Sequence, residues 1–480
     1  MAEEKRDRKK AQHNGAKRTP AAGKKPAQST PARTGRRSSE LIRLEREQQV
    51  RRQLLLGGGA VLLFLILLVG IIIPAVRRHG ARDVEETVQT PVEVVQTEQP
   101  VVSVVESVPE PVEEETPSGP QLALTTSDGE EIYFNQDPAY SEKLTILGTG
   151  DNIIHEQLFL NARKEDGSYD FTPYYERVKP FIEEADVATV NQEAPIASRI
   201  FEVSGYPRFN VPAVVADTLI DTGFDMLNFA NNHILDQGVS GLIESLDYVT
   251  EKGYPYCGAY TDEDDRAMLH TVEANGFKVA FIGILDFTNQ ESDAADGKLI
   301  WTSSESRIES LIKNAKANAD IVVVHAHWGD ENEEYLTDGM VSLAQKMAEW
   351  GADLILGNHT HLLQQVRVLR NSEGKLVPVQ YGGGNFISGQ KERANLLSVL
   401  TTADFARNPQ TGDVICTGLH CRPIVTHYTG DRNNVCIYPL ADYTDELAAE
   451  HGVKDFEGET MTTSYLWDIV NKEIPSQFLQ

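Results

Sequence analysis

Six apolar runs in this chain each lead into residue types that bind metal ions, and no other feature restricts the possible folds as much. The run 144–147 leads to Gly150-Asp151, 187–190 to Asn191-Gln192-Glu193, and 226–229 to Asn231-Asn232-His233 with Asp236. Further on, 321–324 leads to His325-Ala326-His327-Trp328-Gly329, 354–356 to Gly357-Asn358-His359-Thr360-His361, and 377–381 to Gly382-Gly383-Gly384-Asn385-Phe386. Short apolar runs bounded by turn residues read as buried strands. Loops at the ends of such strands can converge while the backbone behind them stays rigid, so ligands bind there. The pattern predicts carboxylates, imidazoles and a side-chain amide gathered at one sheet edge, forming a metal site for two divalent ions.

Between these runs, 214–222, 239–252, 304–318 and 340–350 carry apolar residues at three- and four-residue spacing, the helical period. Strands alternating with helices predict an α/β domain, assigned to residues 141–440. The later runs 396–402 and 414–420 are separated by turn residues and read as antiparallel strands. Residues 441–480 form an acidic, weakly patterned extension, read as a peripheral helix or a tail.

The formal net charge of −28 hides a sharp split. Residues 1–52 hold 16 Lys and Arg against 6 Asp and Glu, which leaves 28 basic and 66 acidic residues beyond them, a balance of −38. Residues 54–76 carry no charge. At ~1.5 Å per residue they reach roughly 34 Å as a helix, enough for the hydrocarbon core of a bilayer. The stronger positive flank is N-terminal, which predicts a single-pass anchor with a basic, disordered cytoplasmic segment (1–53) and the main domain outside the cytoplasm. A cleaved signal peptide fits less well, because the run starts late and lacks a small-x-small cleavage site. Residues 77–140, rich in Val, Glu, Thr, Gln and Pro, read as an extended stalk. Cys257, Cys416, Cys421 and Cys436 all follow the span, where disulfides are permitted; Cys416 with Cys421 would close a local loop, and buried free thiols are the equal alternative. Nucleic-acid binding is not expected, since ordered base-reading elements are absent beside the basic segment.

Asp151 and Glu193 are hard oxygen ligands, Glu193 placed to bridge two ions. Asn232 offers an amide oxygen. His233 is a candidate acid, with Asp236 fixing its tautomer; the competing reading of Asn231 and Asp236 is helix capping. His359 and His361, two residues apart on an extended segment, would face the same side. His327, where its strand gives way to a loop, is a better ligand candidate than His325, which faces the same way. The glycines of 382–384 would let backbone N–H groups approach an anion, but no P-loop lysine follows. No Gly-x-Ser-x-Gly elbow and no cysteine paired with histidine supports covalent hydrolysis.

These motifs, in this order over about residues 143–390, resemble the CapA (PgsA-type) poly-γ-glutamate capsule biosynthesis family of the metallophosphoesterase superfamily. The resemblance implies a four-layer α/β/β/α sandwich behind an N-terminal single transmembrane helix. It implies Asp151, Glu193, Asn232, His327, His359 and His361 as ligands of divalent metal ions (Mn, Fe, Mg or Zn), with His233 as acid. The superfamily usually has a histidine two residues after the first-motif Asp, where this chain has Ile153; His155 is the nearest substitute. The acidic residue expected after His327-Trp328-Gly329 is Asp330 or Glu331.

The resulting expectation is a membrane-anchored, extracytoplasmic protein that makes or exports an anionic cell-surface polymer, alongside polymer-synthase membrane subunits. The alternatives are a metal-dependent phosphoesterase acting on nucleotides or other phosphate-containing substrates, and a non-catalytic assembly subunit. A balance of −38 opposes a polyanion unless the cleft is locally basic or filled with metal.

Overall fold

The computed structural model describes residues 120–480. Their strands are β1 (Leu122–Thr125), β2 (Glu131–Tyr133), β3 (Glu142–Asn152), β4 (Val187–Gln192), β5 (Met226–Asn228), β6 (Tyr256–Cys257), β7 (His270–Ala274), β8 (Phe277–Leu285), β9 (Ile321–His327), β10 (Leu354–Asn358), β11 (Val366–Arg370), β12 (Leu376–Gln380), β13 (Leu397–Arg407), β14 (Val414–Thr429) and β15 (Asn433–Pro439). β1 and β2 form a hairpin; a six-stranded sheet has the order β11-β12-β10-β9-β8-β7, and a seven-stranded sheet the order β15-β14-β13-β3-β4-β5-β6. β3 to β6 run parallel, as do β8, β9, β10 and β12, while β13, β14 and β15 are antiparallel.

Side-chain alternation decides the layers. In β9, Val322, Val324 and Ala326 pack with Ile308 and Ile312 of helix α1 (Glu305–Asn318) and with Leu343, Ala344 and Met347 of helix α2 (Asp338–Trp350). Ile321 and Val323, of opposite parity, join the core between the sheets with Leu354 and Leu356. His325 and His327 share that inward parity. The sheets meet closely enough that a side chain on Gly148 of β3 would collide with Leu356 of β10. The helices Val214–Thr222 and Gly238–Lys252 bury Leu219, Leu242 and Leu246 in the same core as the seven-stranded sheet. Helix α2 starts where the Thr337 hydroxyl accepts a hydrogen bond from the Met340 N–H, satisfying one of the free donors of its first turn.

One sequence expectation changes and two open alternatives are decided. Residues 121–140, assigned with the stalk, belong to the folded domain: Ala123 and Phe134 are buried in the core, and Gln121 Nε2 donates to the Leu419 carbonyl at 2.7 Å. The stretch 441–480 is helical over Asp445–Glu450 and Thr463–Glu473, and Leu466, Val470, Ile474 and Phe478 pack into the core with Tyr465, Trp467 and Ile469 partly buried beside them. All four cysteines are free thiols. Cys416 and Cys421 lie on one continuous strand, β14, where five residues span roughly 17 Å, far beyond disulfide reach. Among the described residues no helix is long and apolar enough to cross a membrane. The basic segment, the 54–76 span and most of the stalk lie outside the described residues.

Candidate metal centre

Strand register carries the sequence-predicted residues to one end of the two sheets. Asp151 of β3 pairs with Asn191 of β4, and Asn191 with Asn228 of β5. Opposite them, His327 of β9 is flanked by Asn358 of β10 and Leu285 of β8. Asp151, Glu193, His327, His359 and His361 are all buried. Ligand atoms of Glu193, His327 and His359 lie within 4.8 Å of one another, and so do those of Asp151, Glu193 and His361. Glu193 belongs to both triads. His327 Nε2 is 3.6 Å from Glu193 Oε1, and His361 Nδ1 is 3.9 Å from Glu193 Oε2 and 3.5 Å from Asp151 Oδ2. Asn232 Oδ1 lies 2.9 Å from His327 Nε2, which adds an amide oxygen to the first triad.

The donor set fits divalent cations. Both carboxylate oxygens of Glu193 and the Nδ1 of His359 are buried without a hydrogen-bond partner. A charged carboxylate here would cost several kcal/mol, so without a cation Glu193 is driven toward its protonated form, and a cation between these atoms lets it ionise. Burial, then the negative charges of Asp151 and Glu331, push Glu193 well above the usual carboxylate range. Burial and the neighbouring His359 hold His327 well below its normal value, and burial with His361 pushes His359 down to about 4. Both are therefore neutral imidazoles, the form that coordinates metal. For His361 burial acts the same way, but the hydrogen bond and charge of Asp151 outweigh it and raise its pKa.

His233 sits beside this group. Its Nδ1–H donates to Asp236 Oδ2 at 2.7 Å, and the same oxygen accepts the Phe209 N–H at 2.8 Å. The contact fixes the tautomer that leaves Nε2 free to carry or accept a proton. Phe209 packs edge-on against the ring at 4.7 Å. Asp236 thus orients His233 and ties in the preceding loop.

Two local features differ from the strand-end pattern. β10 ends at Asn358, and His359 and His361 have φ of 95° and 58°, so strand alternation does not set their directions. Non-glycine residues held in that region cost on the order of 1–3 kcal/mol each and concentrate at functional sites. The glycines of 382–384 serve close packing. The Gly383 N–H donates to the Gly357 carbonyl at 2.9 Å, and the Gly384 carbonyl accepts from the Asp151 N–H at 2.9 Å. A Cβ on Gly150 would fall on the Gly384 carbonyl, and one on Gly357 on the Tyr381 carbonyl. These glycines let the segment press against Asp151.

Of the open alternatives, Glu331 faces the site, its Oε1 3.8 Å from His361 Nε2, whereas Asp330 accepts from the Tyr335 hydroxyl. His155 is outside both triads; its Nδ1 accepts from the Gly389 N–H at 3.2 Å. His325 Nε2 bonds Thr189 Oγ1 at 2.8 Å, deeper between the sheets. The motifs alone assign no role to Asn191 or Asn228. Asn228 Nδ2 donates to Asn191 Oδ1 at 2.8 Å, and Asn191 Nδ2 to Asp151 Oδ1 at 2.7 Å, a relay that orients the carboxylate. Asn385, whose Oδ1 is 3.0 Å from His361 Nδ1, and Phe287, edge-on to His359 at 5.2 Å, were likewise missed. Only the placement of Asn191 and Asn385 within the motifs hinted at them.

Residues 145–390, half of the chain, match the family model of the bacterial capsule synthesis protein PGA_cap. The chain belongs to this family. It is similar to the PGA biosynthesis protein CapA of Bacillus subtilis, with 32% identity over 174 residues covering 36% of this chain and 44% of that one. It is also similar to the capsule biosynthesis protein CapA of Bacillus anthracis, with 27% identity over 261 residues covering 52% and 61%. The chain thus spans about half the length of these curated relatives. Among solved structures, a 5′-nucleotidase from Candida albicans aligns at 12% identity and a TM-score of 0.33, over 54% of this chain and 46% of that one.

Proposed function

We infer that this PGA_cap protein acts in synthesis or export of an anionic capsule polymer of the poly-γ-glutamate type, through a two-metal site of phosphoesterase character. The observation that carries the reading is Glu193, a dry and unpartnered carboxylate common to two ligand triads. Asp151, Glu193 and His361 would hold one ion, and Glu193, Asn232, His327 and His359 the other. Divalent ions held there would neutralise charge on the substrate and lower the pKa of coordinated water. The chain's own residues do the rest. Asp236 holds His233 with Nε2 turned from it, so that His233 can deliver a proton to the departing oxygen. Asn191 and Asn228 fix the rotamer of Asp151, and Phe287 shields His359 from water on one side. The two sheets with helices packed on them fit the four-layer sandwich of the superfamily. The 54–76 run would anchor the chain, with the site outside the cytoplasm beside membrane-bound synthase subunits.

The test joins elemental analysis of the purified chain to capsule production in cells. Metal in the wild type, lost together with polymer in Glu193→Ala, is the expected result. A folded wild type that takes up no divalent metal would sink the metal reading. Metal-dependent turnover of a chromogenic phosphodiester, abolished in Asp151→Asn and His359→Ala while polymer output stays normal, would redirect it to a general phosphoesterase.

A further inference from the structure

Opposite charges stand beside the metal centre near His361 and near His233. At the His361 end stands Glu331, its side chain 45% exposed. At the His233 end stands Arg208, exposed, immediately before the Phe209 that holds Asp236 and packs on the His233 ring. Arg208 Nη2 donates to Gln290 Oε1 at 3.1 Å. Gln290 follows Asn289, whose backbone N–H donates to the Asn232 carbonyl at 2.8 Å and whose Nδ2 lies 3.2 Å from His233 Nδ1. Arg208 is therefore attached on both sides to residues that touch the proposed acid and a proposed ligand.

Arg199, Arg266, Arg393 and Arg407 are ion-paired to carboxylates, whereas Arg208, like Arg367 on Gln365, sits against a neutral amide. Arg208 makes no ion pair among the described residues. A guanidinium offers five donors in a planar fork matched to carboxylate and phosphate oxygens. With a neutral partner its charge remains available, in a chain that is otherwise strongly acidic.

Resting on the metal-site reading above, we propose that Arg208 is a specificity-determining residue: it binds an anionic oxygen group of the substrate, carboxylate or phosphate, on the leaving-group side of the cleft, and so sets the direction in which an acidic chain enters. Glu331 repels the same charge at the opposite end. The reversed orientation would place an anion against Glu331 and leave Arg208 without a ligand. A neutral loop clasp would serve to hold the 200–210 and 286–290 segments together; it would not need a cation.

The experiment measures binding by calorimetry to the full, metal-loaded chain, using a γ-linked glutamate pentamer, the same pentamer with its α-carboxylates amidated, and tripolyphosphate. Wild type should bind at least one anionic probe, and the probe that binds identifies the source of the group. Arg208→Gln, which keeps the hydrogen-bonding capacity toward Gln290, should weaken that binding roughly tenfold and flatten its salt dependence, and Arg208→Lys should restore part of both. Binding of the amidated pentamer should not change. Metal content and melting temperature should match wild type in both variants. Equal affinity of Arg208→Gln and wild type for every anionic probe, or no binding of any probe by metal-loaded wild type, overturns the proposal. Absence of metal from the wild type, with Arg208-dependent anion binding intact, would fail the metal reading alone.

Discussion

Two clusters of buried histidines in this molecule differ in how far their hydrogen bonding is satisfied. In the first, His327, His359 and His361 surround Glu193. In the second, His427 and His451 pack at 5.2 Å near the C-terminus. Burial pushes His359, His427 and His451 alike down to about 4. In the second cluster the protein completes the hydrogen bonding: His451 Nδ1 accepts from the Val453 N–H, its Nε2–H donates to the Thr426 carbonyl, and His427 Nδ1 meets the Tyr443 hydroxyl. In the first, His359 Nδ1 and both Glu193 oxygens have no partner. A depressed imidazole pKa thus marks burial in both places. Unfinished bonding beside a carboxylate distinguishes the site from the core.

The largest predicted effect breaks the first cluster. Glu193→Ala should lower affinity for both ions at least about 100-fold, because each loses a charged ligand; elemental analysis and metal titration check this. Glu193→Gln makes a sharper test through a reversal of sign. In metal-free protein near neutral pH it should stabilise by about 1–3 kcal/mol, since burial forces Glu193 to take up a proton on folding and an amide carries no such cost. In metal-saturated protein it should destabilise, because metal binding to the folded state is weakened. Destabilisation in both conditions would mean that Glu193 is an ordinary structural group.

The second cluster should respond in stability alone. His451→Ala removes a fully buried ring and two hydrogen bonds, and should cost about 2–4 kcal/mol by denaturant unfolding while metal content stays at the wild-type level. A smaller effect follows from pH. The folded-state pKa of His451 lies below its ordinary 6.5, so the unfolded chain binds protons more readily. Its contribution to stability is therefore complete above pH 6.5 and is lost as pH falls toward 4. His451→Phe should make that acid limb shallower in melting experiments without moving the pH at which metal is released. Movement of both would couple the clusters and dissolve the distinction between them.

How much of this was legible in sequence follows from the same contrast. The ligand-bearing strand ends could be read because Asp151, Glu193, His327 and His359 each follow an apolar run. The long β8 carries no ligand residue at its end and went unassigned, although Asn275-Gly276, with φ of 49° and 76°, is a recognisable hairpin turn before it. The backbone of His359 and His361 was not legible, since positive φ at histidine is imposed by tertiary packing. Nor was the use of the 382–384 glycines, which depends on Gly150 lying across from them in another sheet. Asn191 and Asn228 lie 37 residues apart and gain a role only through the β4–β5 register.

That relay supplies the smallest test. Asn228 touches no proposed ligand atom; it holds the Asn191 oxygen, and Asn191 in turn holds Asp151 Oδ1, leaving Oδ2 toward His361. Asn228→Ala frees Asn191 to rotate and lets Asp151 sample other rotamers. Affinity should fall about tenfold for the ion bound by Asp151 and much less for the one held by His327 and His359, because support of this kind is worth ~10–100-fold. Resolving the two affinities by stepwise metal titration is the measurement required. An equal loss at both would show that the asparagines stiffen the whole strand end, and the two triads would then behave as a single unit.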